Sequence, residues 1–250
     1  MSIADLDVVI LAGGLGTRLR PVLPNQQKVL APVAGEPFIT RLFALLARHG
    51  ARRCILALGH RAEDVLPLLT SWRQKYGIEF IPSIEPSPLG TGGALRQALS
   101  HCRGDRVLAL NGDSFVLADL SKLRLAHGQR QAKATLCTVQ VDDVGRYGQL
   151  EWNECSGQVT AFREKSAAHA GKPGWINAGI YMLARDLIET IPEGTVASLE
   201  KETLTPSIGN GLFAFPCSGP FIDIGLPETY RASADFFSDL PESDFFSPKP

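Results

Sequence analysis

A three-layer α/β/α fold, with a mostly parallel sheet and an α+β extension, is predicted from three observations. Short runs rich in Val, Ile and Leu alternate with segments of helical spacing between residues 7 and 113. These runs lack the polar alternation of a half-exposed strand, which suits strands buried on both faces. Beyond residue 132 the alternation gives way to successive strand-like runs separated by turns.

Taken in order, residues 7–12, "DVVILA", form a β-branched run stopped by glycine, hence a buried strand. Residues 37–50 carry Phe38, Leu42, Leu45 and Leu46 at helical spacing, between a proline and a glycine. Residues 53–59, "RCILALG", are a second buried strand, and 61–77 a helix that Pro67 bends. A third strand at 78–83 precedes a helix at 92–102, and "DRVLALNGD" (105–113) is a fourth strand. This alternation implies βαβ units and a Rossmann-like parallel sheet with helices on both faces. Further strands are expected at 133–141, 149–153, 158–164 and 175–184. The end, "DFFSDLPESDFFSPKP", reads as a C-terminal helix followed by a loose or partner-docking segment, which leaves a homo-oligomer open.

At 250 residues the chain suffices for one sizeable core, so one domain is expected over 1–235 with a tail at 236–250. A formal net charge of -1 offers no general polyanion-binding surface, so nucleic acid is not an expected partner. Any phosphate ligand must be held by local groups. No apolar segment approaches the roughly 18 residues that span a bilayer. The start, "MSIADLD", has no basic region of a signal peptide. Together these point to a cytoplasmic chain without a membrane partner. Cys54, Cys102, Cys137, Cys155 and Cys217 are spread singly and are expected as lone buried thiols rather than a zinc or redox site.

The stretch "AGGLGTR" follows the first strand directly, where a ligand loop of an open parallel sheet belongs. Glycines let backbone N–H groups approach a phosphate closely, although glycines after a strand also make simple turns. A Walker A loop would need G-K-[ST], and this loop has Gly16-Thr17-Arg18. A dinucleotide fingerprint would need a third glycine where Leu19 stands. What remains is a glycine loop with Arg18 and, ten residues on, Lys28.

"LAGGLGTRLRPVLPNQQKVLAPVAGEPF" resembles the signature of the sugar-1-phosphate nucleotidyltransferases. Further matches follow in order: "EPSPLGTGGAL", "LNGDSF", "RYG", "REK", "INAGIY" and "FIDIGLPETY", so that the resemblance spans residues 7 to 230. It looks most like the D-glycero-D-manno-heptose 1-phosphate guanylyltransferases, with mannose 1-phosphate guanylyltransferases as near relatives. It implies a GT-A-like fold with a nucleotide-binding half at 1–115 and a sugar-phosphate-binding half at 116–235. The implied reaction joins a nucleoside triphosphate to a sugar 1-phosphate and releases pyrophosphate. A phosphate monoester has its second pKa near 6, so the attacking oxygen is already anionic and no general base is needed. Arg18 and Lys28 would handle the phosphates, and Asp113 and Asp223 would share a Mg²⁺. Arg20 is expected to face solvent.

The motifs also imply nucleotide contacts at Leu11, Ala12, Gly13, Gly14, Gly16, Thr17, Gly90, Thr91, Asn111 and Gly112. Glu85 stands where thymidylyl- and uridylyltransferases often carry glutamine. A carboxylate accepts only, and guanine presents two adjacent donors, so Glu85 favours GTP. For the sugar phosphate the resemblance implies Gly148, Glu164, Lys165 and Asn177. The family usually has proline before the loop lysine. Here Gln27 stands there, and losing a fixed φ is expected to loosen the loop. Related enzymes that are bifunctional carry a further C-terminal module, which is not expected here. Other hexose 1-phosphate thymidylyl- or uridylyltransferases are alternatives. A non-catalytic sugar-nucleotide-binding subunit is another, and such a subunit tends to lose the cations and carboxylates present here.

Overall fold

The computed structural model describes residues 2–24, 26–163 and 171–241. The first half contains β1 (Asp7–Ala12), the short hairpin β2 (Pro32–Val33) and β3 (Glu36–Pro37), α1 (Ile39–Arg48), β4 (Arg53–Leu58), α2 (Ala62–Val65), α3 (Leu69–Tyr76), β5 (Glu79–Ile84), α4 (Gly90–Ala98), β6 (Arg106–Asn111) and β7 (Ser114–Val116). The second half adds α5 (Leu120–Gln129), β8 (Ala134–Val141), β9 (Gln149–Trp152), β10 (Val159–Arg163), β11 (Gly174–Ala184), α6 (Arg185–Glu189), β12 (Leu212–Pro216), β13 (Phe221–Asp223) and α7 (Pro227–Ser238).

The main sheet runs β10-β9-β11-β6-β1-β4-β5, with β8 beside β11 and β12 beside β8. Strands β6, β1, β4 and β5 are parallel, as the alternating pattern requires, and β11 joins antiparallel to β6. Parallel strands bring the carboxyl ends of β1, β4 and β6 to one edge, where the loops gather. Apolar clusters cover both faces of the sheet. On one face Phe43 packs against Trp72, Tyr76 and Phe80 with ring centroids 4.5 to 5.6 Å apart.

Several boundaries differ from the sequence reading. Residues 36–37 belong to the β2–β3 hairpin, so the first helix begins at Ile39. Pro67 does interrupt its helix: a 3-10 turn at Leu66–Leu68 separates α2 from α3. The helix expected from 92 begins two residues earlier, at Gly90. Helix α5 was not expected from the apolar pattern, which is sparse there. The Asp119 carboxylate sets its start by accepting from the Ser121 and Lys122 N–H groups. The boundary expected at 235 falls inside α7, whose buried Phe237 packs against Phe38 and Phe115. Residues 242–250 lie outside the described residues. Cys54, Cys102 and Cys137 are buried, whereas Cys155 is exposed and Cys217 half-buried, contrary to five buried thiols. Cys155 sits in the polar turn between β9 and β10, where there is no core to cover it. Among the described residues no helix is long and apolar enough to cross a membrane.

Candidate active site

Two cavities open at the carboxyl edge of the sheet and share a wall. The smaller, about 260 Å³, is bounded by the end of β1, the glycine loop and the start of α4. The larger, about 670 Å³, lies over β11 and the second half of the chain. Lys28, Asn111 and Asp113 line both.

That shared wall is assembled from distant segments. Lys28 begins a 3-10 turn at Lys28–Leu30, and its Nζ donates to Asp113 Oδ2 at 2.5 Å. Asp113 sits in the turn between β6 and β7. Strand β7 pairs antiparallel with β13, which places Asp223 opposite Ser114, next to Asp113 in the chain. The Ile224 N–H donates to the Asp113 carbonyl at 2.9 Å and secures the join. A Cβ built on Gly225 would stand 2.7 Å from Asp223 Oδ1 and 3.7 Å from Lys28 Nζ. The ammonium is therefore bonded to Asp113 and lies near the Gly225 backbone that Asp223 accepts from, the two carboxylates being over a hundred residues apart in sequence. Asp223 is held on both oxygens: Oδ1 accepts from the Gly225 N–H at 2.8 Å, and Oδ2 accepts from the Tyr147 hydroxyl.

On the smaller side, Leu11, Ala12, Gly13, Gly14, Glu85, Gly90 and Thr91 line the cavity. Glu85 Oε2 accepts from the Leu89 N–H at 2.8 Å. Oε1 lies against the Cα of Gly13, where a Cβ would collide with it. Burial pushes the Glu85 carboxyl above the ordinary glutamate range, and the Leu89 N–H partly offsets this. The glycines of "LGTGG" have a second task. The segment before a π-helix at Leu199–Leu204 crosses them, with the Gly92 N–H donating to Ala197 O at 2.8 Å. A Cβ at Gly90 or Gly93 would collide with the carbonyls of Ala197 or Thr195. Thr91 Oγ1 accepts from the Leu199 N–H at 2.9 Å, so its hydroxyl also holds that segment.

On the larger side, Arg18, Gly148, Asn177 and Asp223 line the cavity. A bulge in β11 between Asn177 and Tyr181, with Gly179 at φ 80°, turns the Asn177 side chain inward. Asn177 Nδ2 donates to the Tyr181 hydroxyl at 2.7 Å, which donates to Glu200 Oε1 at 3.1 Å. Tyr181 is fully buried, and burial raises its phenol well above the usual range, so it stays neutral and orients Asn177.

The remaining residues named from the motifs fall as follows. Gly16 and Thr17 line neither cavity; Gly16, at φ 58°, makes the turn that presents Arg18. Gly112 lines neither, because it packs where β6 meets β1, its N–H donating to Leu11 O at 2.9 Å. Gln27, expected to loosen the loop, has φ at -64°, the value proline would impose. Glu164 and Lys165 lie outside the described residues. Arg20 is exposed and does not line the larger cavity, in contrast to Arg18.

The sequence reading missed Ser198, Glu200, Lys201 and Thr205, which line the larger cavity from the π-helix and the turn after it. The available signal was a reciprocal cap. Ser198 Oγ accepts from the Lys201 N–H at 3.2 Å, while Glu202 accepts from the Ser198 N–H. π-Helices are rare and concentrate at functional sites.

The carboxylate pair fits a divalent cation. Among the described residues no cluster of three or more metal-binding side chains occurs. Two carboxylates suit a hard divalent cation that keeps waters and takes phosphate oxygens for its remaining positions.

The family model for nucleotidyl transferases matches residues 7–230. The D-glycero-alpha-D-manno-heptose 1-phosphate guanylyltransferase of Campylobacter jejuni is 36% identical over 90% of this chain and 97% of its own length. The mannose-1-phosphate guanylyltransferase of Mycobacterium tuberculosis is 32% identical over 97% of this chain and 68% of its own. HddC from Yersinia pseudotuberculosis, solved in complex with GMP-PN, superposes with a TM-score of 0.82 at 34% identity, covering 93% of this chain and 99% of that one. The chain belongs to the nucleotidyl transferase family and is a nucleotidyltransferase enzyme.

Proposed function

We propose that the protein joins GTP and D-glycero-D-manno-heptose 1-phosphate to give the GDP-sugar and pyrophosphate. The observation that carries this reading is the pair of cavities meeting at Lys28, Asn111 and Asp113. The nucleotide occupies the smaller cavity with its base near Glu85, and the sugar phosphate occupies the larger near Gly148 and Asn177. A sugar-phosphate oxygen attacks the α-phosphorus as the bond to the leaving pyrophosphate breaks, and the two substrates reach it from opposite cavities. Lys28 holds phosphate oxygens beside the reacting centre, and Arg18 grips phosphate at the cavity mouth. Asp113 and Asp223 would hold Mg²⁺, which supplies charge neutralisation of the phosphates when bound. A cytoplasmic location fits, because nucleoside triphosphates are held there. The heptose assignment follows the names of relatives matched over nearly their whole length. Mannose 1-phosphate is the second reading, favoured by the mycobacterial relative matched over 97% of this chain.

Pyrophosphate release should be measured with GTP, ATP, UTP and dTTP crossed with heptose, mannose, glucose and N-acetylhexosamine 1-phosphates. The expected maximum is GTP with the heptose. Turnover with no pair would overturn the reading, and a maximum with mannose 1-phosphate would establish the second. In the same assay Arg18→Ala is expected to lower kcat/KM about a hundredfold, the scale of one lost charge-stabilising group. Arg20→Ala, at a residue that does not line the larger cavity, stays within about twofold. Equal losses would show that the loop presents the wrong arginine.

A further inference from the structure

Gln27 stands one residue before Lys28, where the resembling enzymes carry proline. Its backbone already takes the conformation of proline, φ -64° and ψ 135°. Among the described residues its N–H donates to no backbone carbonyl. Proline would therefore satisfy the backbone at this position without deleting a ladder bond.

The side chain does something proline would not. It is 2% exposed, and Nε2 donates to the carbonyl of Ala12 at 3.0 Å. Ala12 is the last residue of β1, so this one bond ties the strand end that launches the glycine loop to the residue that delivers the lysine. The loop between them carries Arg18. Its far side also touches Lys28, since a Cβ on Gly16 would stand 3.3 Å from Lys28 Cβ. The other amide atom, Oε1, is buried and has no hydrogen-bond partner among the described residues. A buried unpaired acceptor costs folding free energy, so stability alone does not account for an amide here.

We infer that Gln27 is a positioning residue: its amide clasps the Lys28 segment to the carboxyl end of β1, and so fixes the ammonium on Asp113. The inference rests on the proposed role of Lys28 at the reacting phosphates. An ammonium displaced by a fraction of an ångström loses alignment with the charge that builds up in the transition state, which lowers kcat more than it weakens substrate binding.

Two substitutions separate the clasp from the backbone. Gln27→Pro keeps φ and deletes the amide; Gln27→Leu keeps the bulk and deletes both polar atoms. Each is expected to lower kcat for pyrophosphate release about tenfold while both KM values stay within about twofold. On a Lys28→Ala background, neither lowers kcat further, because the amide acts through the ammonium. Without substrates, amide exchange over residues 13–27 is expected to speed up about tenfold in both variants relative to the parent. Wild-type kcat and wild-type exchange in Gln27→Pro would overturn the inference, since φ alone would then suffice. So would a full additional loss on the Lys28→Ala background, the mark of a merely structural role. If Gln27→Pro does not fold, Gln27→Leu decides. If the parent turns over no substrate pair, the proposed reaction fails while the exchange measurement still decides whether the clasp exists.

Discussion

Asp223→Asn is expected to lower kcat for pyrophosphate release by about 10²- to 10³-fold, with the melting temperature close to that of the parent. Asparagine keeps the shape of the side chain and one oxygen, which can still accept from the Gly225 N–H or the Tyr147 hydroxyl. What it removes is charge. Together with Asp113, which is paired with the Lys28 ammonium, that charge would hold Mg²⁺ against the phosphates. The same reasoning gives a comparable loss for Asp113→Asn, whose Oδ2 directly accepts from Lys28. A Mg²⁺ titration of activity checks the cause: half-saturation is expected to move to higher concentration in both variants. Unchanged half-saturation with a large loss of kcat would take metal binding away from this pair. An unchanged kcat would remove both carboxylates from the reaction.

Glu85→Gln is the second large effect, and it falls on base choice. The parent carboxylate uses one oxygen on the Leu89 N–H and leaves the other at the cavity wall beside Gly13. A carboxylate can accept both adjacent donors of guanine, whereas an amide offers one donor and one acceptor. GTP kcat/KM is expected to fall about tenfold to a hundredfold, the scale of a charge-assisted hydrogen bond left unmet. Activity with UTP is expected to rise. The pH dependence carries the same signature. Burial raises the carboxyl of Glu85, and in the proposed reading guanine would bind its ionised form. GTP affinity is therefore flat above that raised pKa and falls as pH drops through it, and Glu85→Gln removes the fall. Retained preference for GTP in Glu85→Gln would place the base elsewhere in the cavity.

Much of this enzyme is legible without coordinates, for identifiable reasons. Strands β1, β4 and β6 are buried on both faces, so their residues form unbroken apolar runs that periodicity detects. The glycine loop and the "NGD" turn stand out because few residue types tolerate such backbone. Helix α5 and the π-helix are harder to see, because the first is weakly amphipathic and the second is set by a reciprocal cap rather than an apolar stripe. Gln27 misleads in the opposite sense: absence of the proline ring suggests freedom, and a buried amide bond across the loop takes that freedom away.

By itself the sequence determined the layer order, the parallel half of the sheet and which residue types could meet phosphate. Those properties are local: side-chain periodicity, backbone tolerance and charge are carried by each segment alone. Tertiary structure alone decided that Lys28 pairs with Asp113, that Glu85 turns toward Gly13, and that the "LGTGG" glycines carry the strap leading to Glu200. These are contacts between segments far apart in the chain. They follow from strand pairing and close packing, and no window of sequence contains them.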